Sequence, residues 1–197
     1  MGSLRTIEFG GIRLCVSPEV YEPAEDTELL LGILRINKGE SVLEVGSGSG
    51  VLGVAAAIAG GRVTMIDINP YASKASLCSS KLNNVDVNVI NCDLTTCLRK
   101  FVIDVALFNP PYLPVDEYRE WLQFSWSGGR DGNQVIIRFL DSVRASRYYF
   151  LASSLGDIDG LLTFLRNRNF KLKTKTKVIG FEELVAFEAI DAKGSIS

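Results

Sequence analysis

Short apolar runs alternating with helix-period segments constrain this chain most. Ser41–Val45, Arg62–Ile66, Val85–Ile90 and Val102–Phe108 each read as a buried strand. A glycine-rich turn and a helix through Ala59 follow the first, and a helix from Pro70 to about Leu82 follows the second. Asn133–Val143 and Asp159–Arg168 read as further helices and Arg147–Ala152 as a fifth strand. Phe170–Val178 and Leu184–Ile190 close the chain as a strand pair around Gly180. Near the start, Thr6–Phe9 and Ile12–Val16 flank Gly10-Gly11, a hairpin signal, and Asp26 or Thr27 is placed to cap a helix reaching about Ile36. Strands alternating with helices predict an α/β sheet with helices on both faces. A mean hydropathy of +0.17 suits a sheet buried on both sides. At 197 residues the expectation is one domain over 1–197, with residues 1–20 as an N-terminal hairpin extension.

Composition narrows the chemistry. There is no His, so histidine bases and histidine metal ligands are excluded. Cys15, Cys78, Cys92 and Cys97 form no CxxC pair, which predicts reduced thiols in an intracellular protein and no metal site. A formal net charge of −2 gives no general attraction to nucleic acid. No apolar stretch approaches the ~20 residues of a membrane span, and a cytoplasmic protein is expected.

The turn Glu44-Val45-Gly46-Ser47-Gly48-Ser49-Gly50 lets a ligand approach the backbone at the C-terminal edge of the sheet. Asp67, followed by Ile68, ends the second apolar run, and its carboxylate can accept both hydroxyls of a ribose. Asp93, followed by Leu94, ends the third and is placed to accept from an adenine amine. Acids after three successive strands predict S-adenosylmethionine as cofactor, with Glu44, Gly46, Gly48, Asp67, Ile68, Asp93 and Leu94 around it. Gly48-x-Gly50-x-x-Gly53 also fits a dinucleotide fingerprint. Against that, Gly46 already opens the turn, Glu44 sits badly beside a pyrophosphate, and no proton-transfer residue follows.

Asn109-Pro110-Pro111-Tyr112 follows the fourth apolar run. The prolines fix their own φ and hold the residues before them extended. They have no N–H, so their carbonyls are free for a ligand. Asn109 offers an acceptor and two donors, and Tyr112 a flat face with a polar tip. Asn109, Pro110, Pro111 and Tyr112 thus predict a clamp for a planar NH2 group, as in an amide or the exocyclic amine of a base. The segment Leu113–Asp131 then reads as a long loop over the motif, carrying Trp121, Phe124 and Trp126 either as core cover or as a lid.

Together these residues resemble the class I S-adenosylmethionine methyltransferases. More narrowly, the chain resembles the HemK family of release-factor glutamine methyltransferases, in its eukaryotic and archaeal branch. The marks are Tyr21-Glu22-Pro23-Ala24-Glu25-Asp26-Thr27, the Glu44–Gly50 turn, Asn109-Pro110-Pro111-Tyr112 and Gly128-Gly129-Arg130-Asp131-Gly132. The resemblance implies a Rossmann-like, seven-stranded, mostly parallel sheet with a final antiparallel strand. It implies that Thr27, Glu44, Gly46, Asp67, Asp93, Leu94 and Asn109 line the cofactor. It implies that Asn109 and Pro110 hold the glutamine amide of the Gly-Gly-Gln loop of a class 1 translation release factor. It also implies a heterodimer with a small zinc-binding activator subunit, for which Val85–Ile90, without Lys, Arg or Pro, is the expected docking edge.

An amide nitrogen is a poor nucleophile, so the expected task is alignment of nitrogen, methyl and sulfur. The proton becomes acidic as transfer proceeds and needs no dedicated base. The alternatives are methylation of the exocyclic amine of adenine in nucleic acid, which the clamp fits geometrically, and methylation of lysine. Lys171, Lys173, Lys175 and Lys177 alternate along one strand and read first as a solvated face.

Overall fold

The computed structural model describes residues 3–99, 102–114 and 120–192. A hairpin of β1 (Arg5–Phe9) and β2 (Ile12–Val16) precedes α1 (Glu25–Ile33). Then come β3 (Ser41–Val45), α2 (Val51–Ile58), β4 (Arg62–Asp67), α3 (Pro70–Leu82), β5 (Val87–Asn91) and β6 (Val102–Phe108). A 3₁₀ turn at Trp121–Ser125 leads to α4 (Gln134–Ser142), β7 (Arg144–Ser153), α5 (Ile158–Asn167), β8 (Phe170–Ile179) and β9 (Glu182–Asp191). Residues 115–119 of the expected loop over the motif lie outside the described residues.

Seven strands form one sheet in the order β5-β4-β3-β6-β7-β9-β8. β3 to β7 are parallel, and β9 runs antiparallel to both β7 and β8. Strand pleating sends neighbouring residues to opposite faces. Val105 and Leu107 of β6 therefore enter the core under α1 and α2, and Ala106 and Phe108 enter the core under α4 and α5. The amphipathic α4 buries Ile136, Phe139 and Leu140 on one stripe. The β1–β2 hairpin forms its own small sheet against α3, where the Cys15 N–H donates to Ser79 Oγ at 2.9 Å. Chain order leaves β3 toward β4 on one side and toward β6 on the other. The C-terminal ends of β3 and β6 thus flank the switch point where open α/β sheets bind ligands.

Three expectations need correction. α1 begins at Glu25 behind Ala24, and neither Asp26 nor Thr27 caps it; both turn inward to other partners. It ends at Ile33, not Ile36. β7 begins at Arg144 because it pairs with β6 from Val102 onward, so polar Arg144 is held by the ladder rather than by its own pattern. The four cysteines are not free: Cys15 bridges to Cys78 and Cys92 to Cys97. The first bridge joins β2 to α3 across 63 residues, a proximity that spacing alone does not reveal. No helix among the described residues is long and apolar enough to cross a membrane.

Candidate active site

A cavity of about 630 Å3 opens at the switch point, within the usual range for small-molecule sites. All the residues expected to bind cofactor or acceptor line it, from Thr27 to Tyr112. They come from the C-terminal ends of β3, β4, β5 and β6 and from the first turn of α1.

Glu44 ends β3 fully buried and turns back to α2, where its Oε2 accepts the Gly53 N–H at 3.0 Å. A Cβ at Gly53 would lie 2.5 Å from that oxygen and 2.5 Å from Met65 Cε, so glycine is required there. The N-terminus of α2, where a dinucleotide would place its pyrophosphate, is thus occupied by a carboxylate. Burial pushes the Glu44 carboxyl well above its ordinary range. Gly46, Gly48 and Gly50 all have positive φ, and a Cβ on Gly46 would stand 2.8 Å from the Phe108 ring. The turn is a close cradle against β6.

Asp67 is buried at the end of β4. Its Oδ2 accepts the Gly48 N–H and its Oδ1 the Asn69 N–H, each at 2.8 Å. Burial pushes its carboxyl up to about 6, and those two N–H groups oppose the shift. Each oxygen keeps a lone pair for a ligand hydroxyl. Asp93 lines the cavity but is half-exposed and paired with Arg138 of α4 at 3.0 Å. Leu94, beside it, is buried with φ +46°, a left-handed conformation that a non-glycine residue adopts only under constraint from its surroundings. Cys92, bridged to Cys97, closes the loop that carries both.

At the other end, Asn109 Nδ2 donates to Asp26 Oδ2 at 2.9 Å and to Thr27 Oγ1 at 3.3 Å. Asn109 Oδ1 is buried and has no partner among the described residues. Asp26 is itself buried and accepts from the Thr27 N–H and the Tyr21 hydroxyl. Burial raises the Tyr21 and Tyr112 hydroxyls far above their usual range, with Asp26 adding to the effect, so both remain protonated donors. Behind the motif, a Cβ on Gly132 would lie 2.6 Å from the Tyr112 carbonyl. Leu113 exchanges hydrogen bonds with Trp126 and Gly128. The Gly128–Gly132 segment therefore backs the clamp. Trp121, Phe124 and Trp126 all line the cavity, which favours the lid over core cover.

Sequence reasoning left Asp26, Tyr21 and Arg138 out of the site. An acid in the first turn of a helix is already explained by the helix dipole, so Asp26 carries no separate signal in the sequence.

The residues present fit S-adenosylmethionine. Among the described residues the lining carries Glu19, Asp26, Glu44, Asp67, Asp93 and Glu182 against Arg138, which suits a sulfonium and an ammonium. Free acceptors stand on Asp67 and Asn109.

Residues 16–120 match the methyltransferase small domain. A Methanocaldococcus jannaschii protein named for protein N5-glutamine methyltransferase activity is 39% identical over 194 residues, 93% of this chain and 98% of its own. Mouse methyltransferase HEMK2 is 36% identical over 151 residues, 70% of this chain and 71% of its own. Among solved structures, the E. cuniculi Mtq2–Trm112 complex, described as responsible for methylation of the eRF1 translation termination factor, superposes with a TM-score of 0.71. That match has 26% identity and covers 88% of this chain and 99% of that one. With the sheet order, the turn and the clamp in place, the chain belongs to the small-domain class I S-adenosylmethionine methyltransferases, among the HemK-like protein-glutamine methyltransferases.

Proposed function

We propose that the protein methylates the side-chain amide nitrogen of glutamine in the Gly-Gly-Gln loop of a translation release factor. One observation carries the reading: Asn109 is held with its NH2 on Asp26 and Thr27 and its carbonyl oxygen without a partner among the described residues. That oxygen accepts one N–H of the incoming amide. Pro110, buried at the cavity wall, offers its carbonyl to the other. The relatives named for glutamine and eRF1 methylation support the substrate. Such a substrate places the work in the cytoplasm.

When bound, the cofactor supplies an electrophilic methyl group. Asp67 holds its ribose, the Gly46 cradle admits its amino-acid end, and Asp93 and Leu94 receive its adenine. Asn109 and Pro110 orient the acceptor nitrogen and favour the positive charge that grows on it. Tyr112 covers the amide plane. The aromatic wall of Trp121, Phe124 and Trp126 limits water. The released proton leaves to solvent, since both tyrosines stay protonated and no histidine exists.

The same solved complex holds Trm112 beside its methyltransferase. We propose a small zinc-binding subunit of that kind as partner, docked on β5, which pairs only with β4 among the described residues.

Radiolabel transfer to a purified release factor, to its Gln→Ala variant and to DNA tests the substrate. Label on the first alone is expected. Label on DNA with none on the release factor would refute the assignment.

A further inference from the structure

The segment between the hairpin and α1 also lines the cavity, through Glu19, Val20, Tyr21 and Pro23. It is fixed in place. Val20 is buried against Ala72 and Ala75 of α3. The Glu19 carbonyl accepts from Asn69 Nδ2 at 2.7 Å. The backbone N–H of that same Asn69 donates to Asp67 Oδ1. One asparagine therefore holds Glu19 with its side chain and the ribose-side carboxylate with its backbone.

The Glu19 side chain is the unexplained part. Its Oε2 is buried and finds no hydrogen-bond partner among the described residues. A buried carboxylate oxygen without a donor is costly and rare in native proteins. Nothing in the packing calls for an acid here, since the cavity already holds an excess of them. No donor among the described residues meets that oxygen, and Glu19 lines the cofactor cavity, where a ligand can supply one. The neighbour fixed through Asn69 is Asp67, whose own oxygens are each half-used by Gly48 and Asn69. The nearest donors a bound cofactor brings to that corner are sugar hydroxyls.

We propose that Glu19 is a second acceptor for the cofactor's ribose hydroxyls, reaching the sugar from the N-terminal segment while Asp67 reaches it from the sheet. The proposal rests on the cofactor reading and not on the identity of the methyl acceptor. It has a further consequence. Glu19 shares its segment with Tyr21, whose hydroxyl donates to Asp26 in the first turn of α1, where Asp26 and Thr27 accept from the Asn109 NH2. A ribose bound at Glu19 braces the segment that orients the clamp, so cofactor binding prepares the acceptor site.

Calorimetry with S-adenosylhomocysteine and its 2′-deoxy and 3′-deoxy counterparts tests this without turnover, on wild type, Glu19→Ala and Glu19→Gln. Loss of a charged acceptor is expected to weaken S-adenosylhomocysteine binding by about tenfold or more in Glu19→Ala. The penalty that wild type shows for at least one deoxy compound is expected to shrink by a similar factor in that variant, and less in Glu19→Gln, which keeps one acceptor oxygen. Equal deoxy penalties in all three proteins would overturn the proposal. A wild type that bound no S-adenosylhomocysteine would instead refute the cofactor reading, and this proposal with it.

Discussion

The Asn109 amide can be held only one way round. Asp26 Oδ2 accepts from the Asn109 NH2, which leaves Asn109 Oδ1 for the substrate. An Asp26→Asn variant removes that instruction, because a neutral amide satisfies either orientation. Methyl transfer is expected to fall about a hundredfold, with the melting temperature nearly unchanged; turnover near wild type would show that Asp26 does not orient the clamp. Asn109→Ala should lose transfer at least as far, measured by the same radiolabel assay. Asp67 supplies a pH signature. Its carboxyl sits near 6, above its ordinary 3.8, so the folded protein binds a proton more readily than the unfolded chain between those values. The sign follows: this group's contribution to stability falls as pH rises from about 4 to about 6, by on the order of 3 kcal/mol at most. Cofactor affinity runs the other way, since the charged form is the better acceptor. S-adenosylhomocysteine should bind more weakly at pH 5 than at pH 7 and release protons on binding at pH 6. Flat affinity across that range in wild type would count against Asp67 as the ribose ligand. At this scale the strand-end acids and the Asn-Pro-Pro-Tyr clamp were legible because they follow apolar runs. Asp26 and Glu19 were not, because their meaning depends on what faces them across the fold.

The elements were mostly readable because hydrophobic period and punctuation agreed. Pro70 opens α3 as expected, with Asn69 Oδ1 accepting the Tyr71 N–H as its cap, and β6 runs from Val102 to Phe108 as its apolar run predicts. α1 was misjudged at its start because Asp26 and Thr27 look like caps to a local reading and are spent on the active site instead. β7 extends further back than its apolar run because Arg144 and Ala145 pair with Val102 and Ile103 of β6, before the ladder with β9 begins at Arg147. The β5 edge carries the partner prediction. Val87→Pro should abolish co-elution with a Trm112-like subunit on gel filtration while the protein alone keeps its melting temperature within a few degrees. Unchanged co-elution would place the interface elsewhere.

For the whole molecule, the Cys15–Cys78 bridge ties the N-terminal hairpin to α3 and closes a loop of 63 residues. A cross-link of that span restricts the unfolded chain by about 4 kcal/mol in the loop-entropy account. Reduction, or a Cys15→Ser variant, should lower the melting temperature by about 10 °C for a chain of this size. An unchanged melting curve under reductant would show that packing alone holds the hairpin. Pairings across the fold stay hidden from spacing, and so did this one. The sheet's two borders differ in a way that sets stoichiometry. β5 presents an unguarded border with no charge between Val87 and Asn91, whereas β8 carries lysines at 171, 173, 175 and 177. A sheet with two open borders can add strands indefinitely and grow into fibres. If a partner strand docks on β5, one addition fills that border while the lysine-bearing β8 border disfavours a second, and a one-to-one complex is the expected stoichiometry.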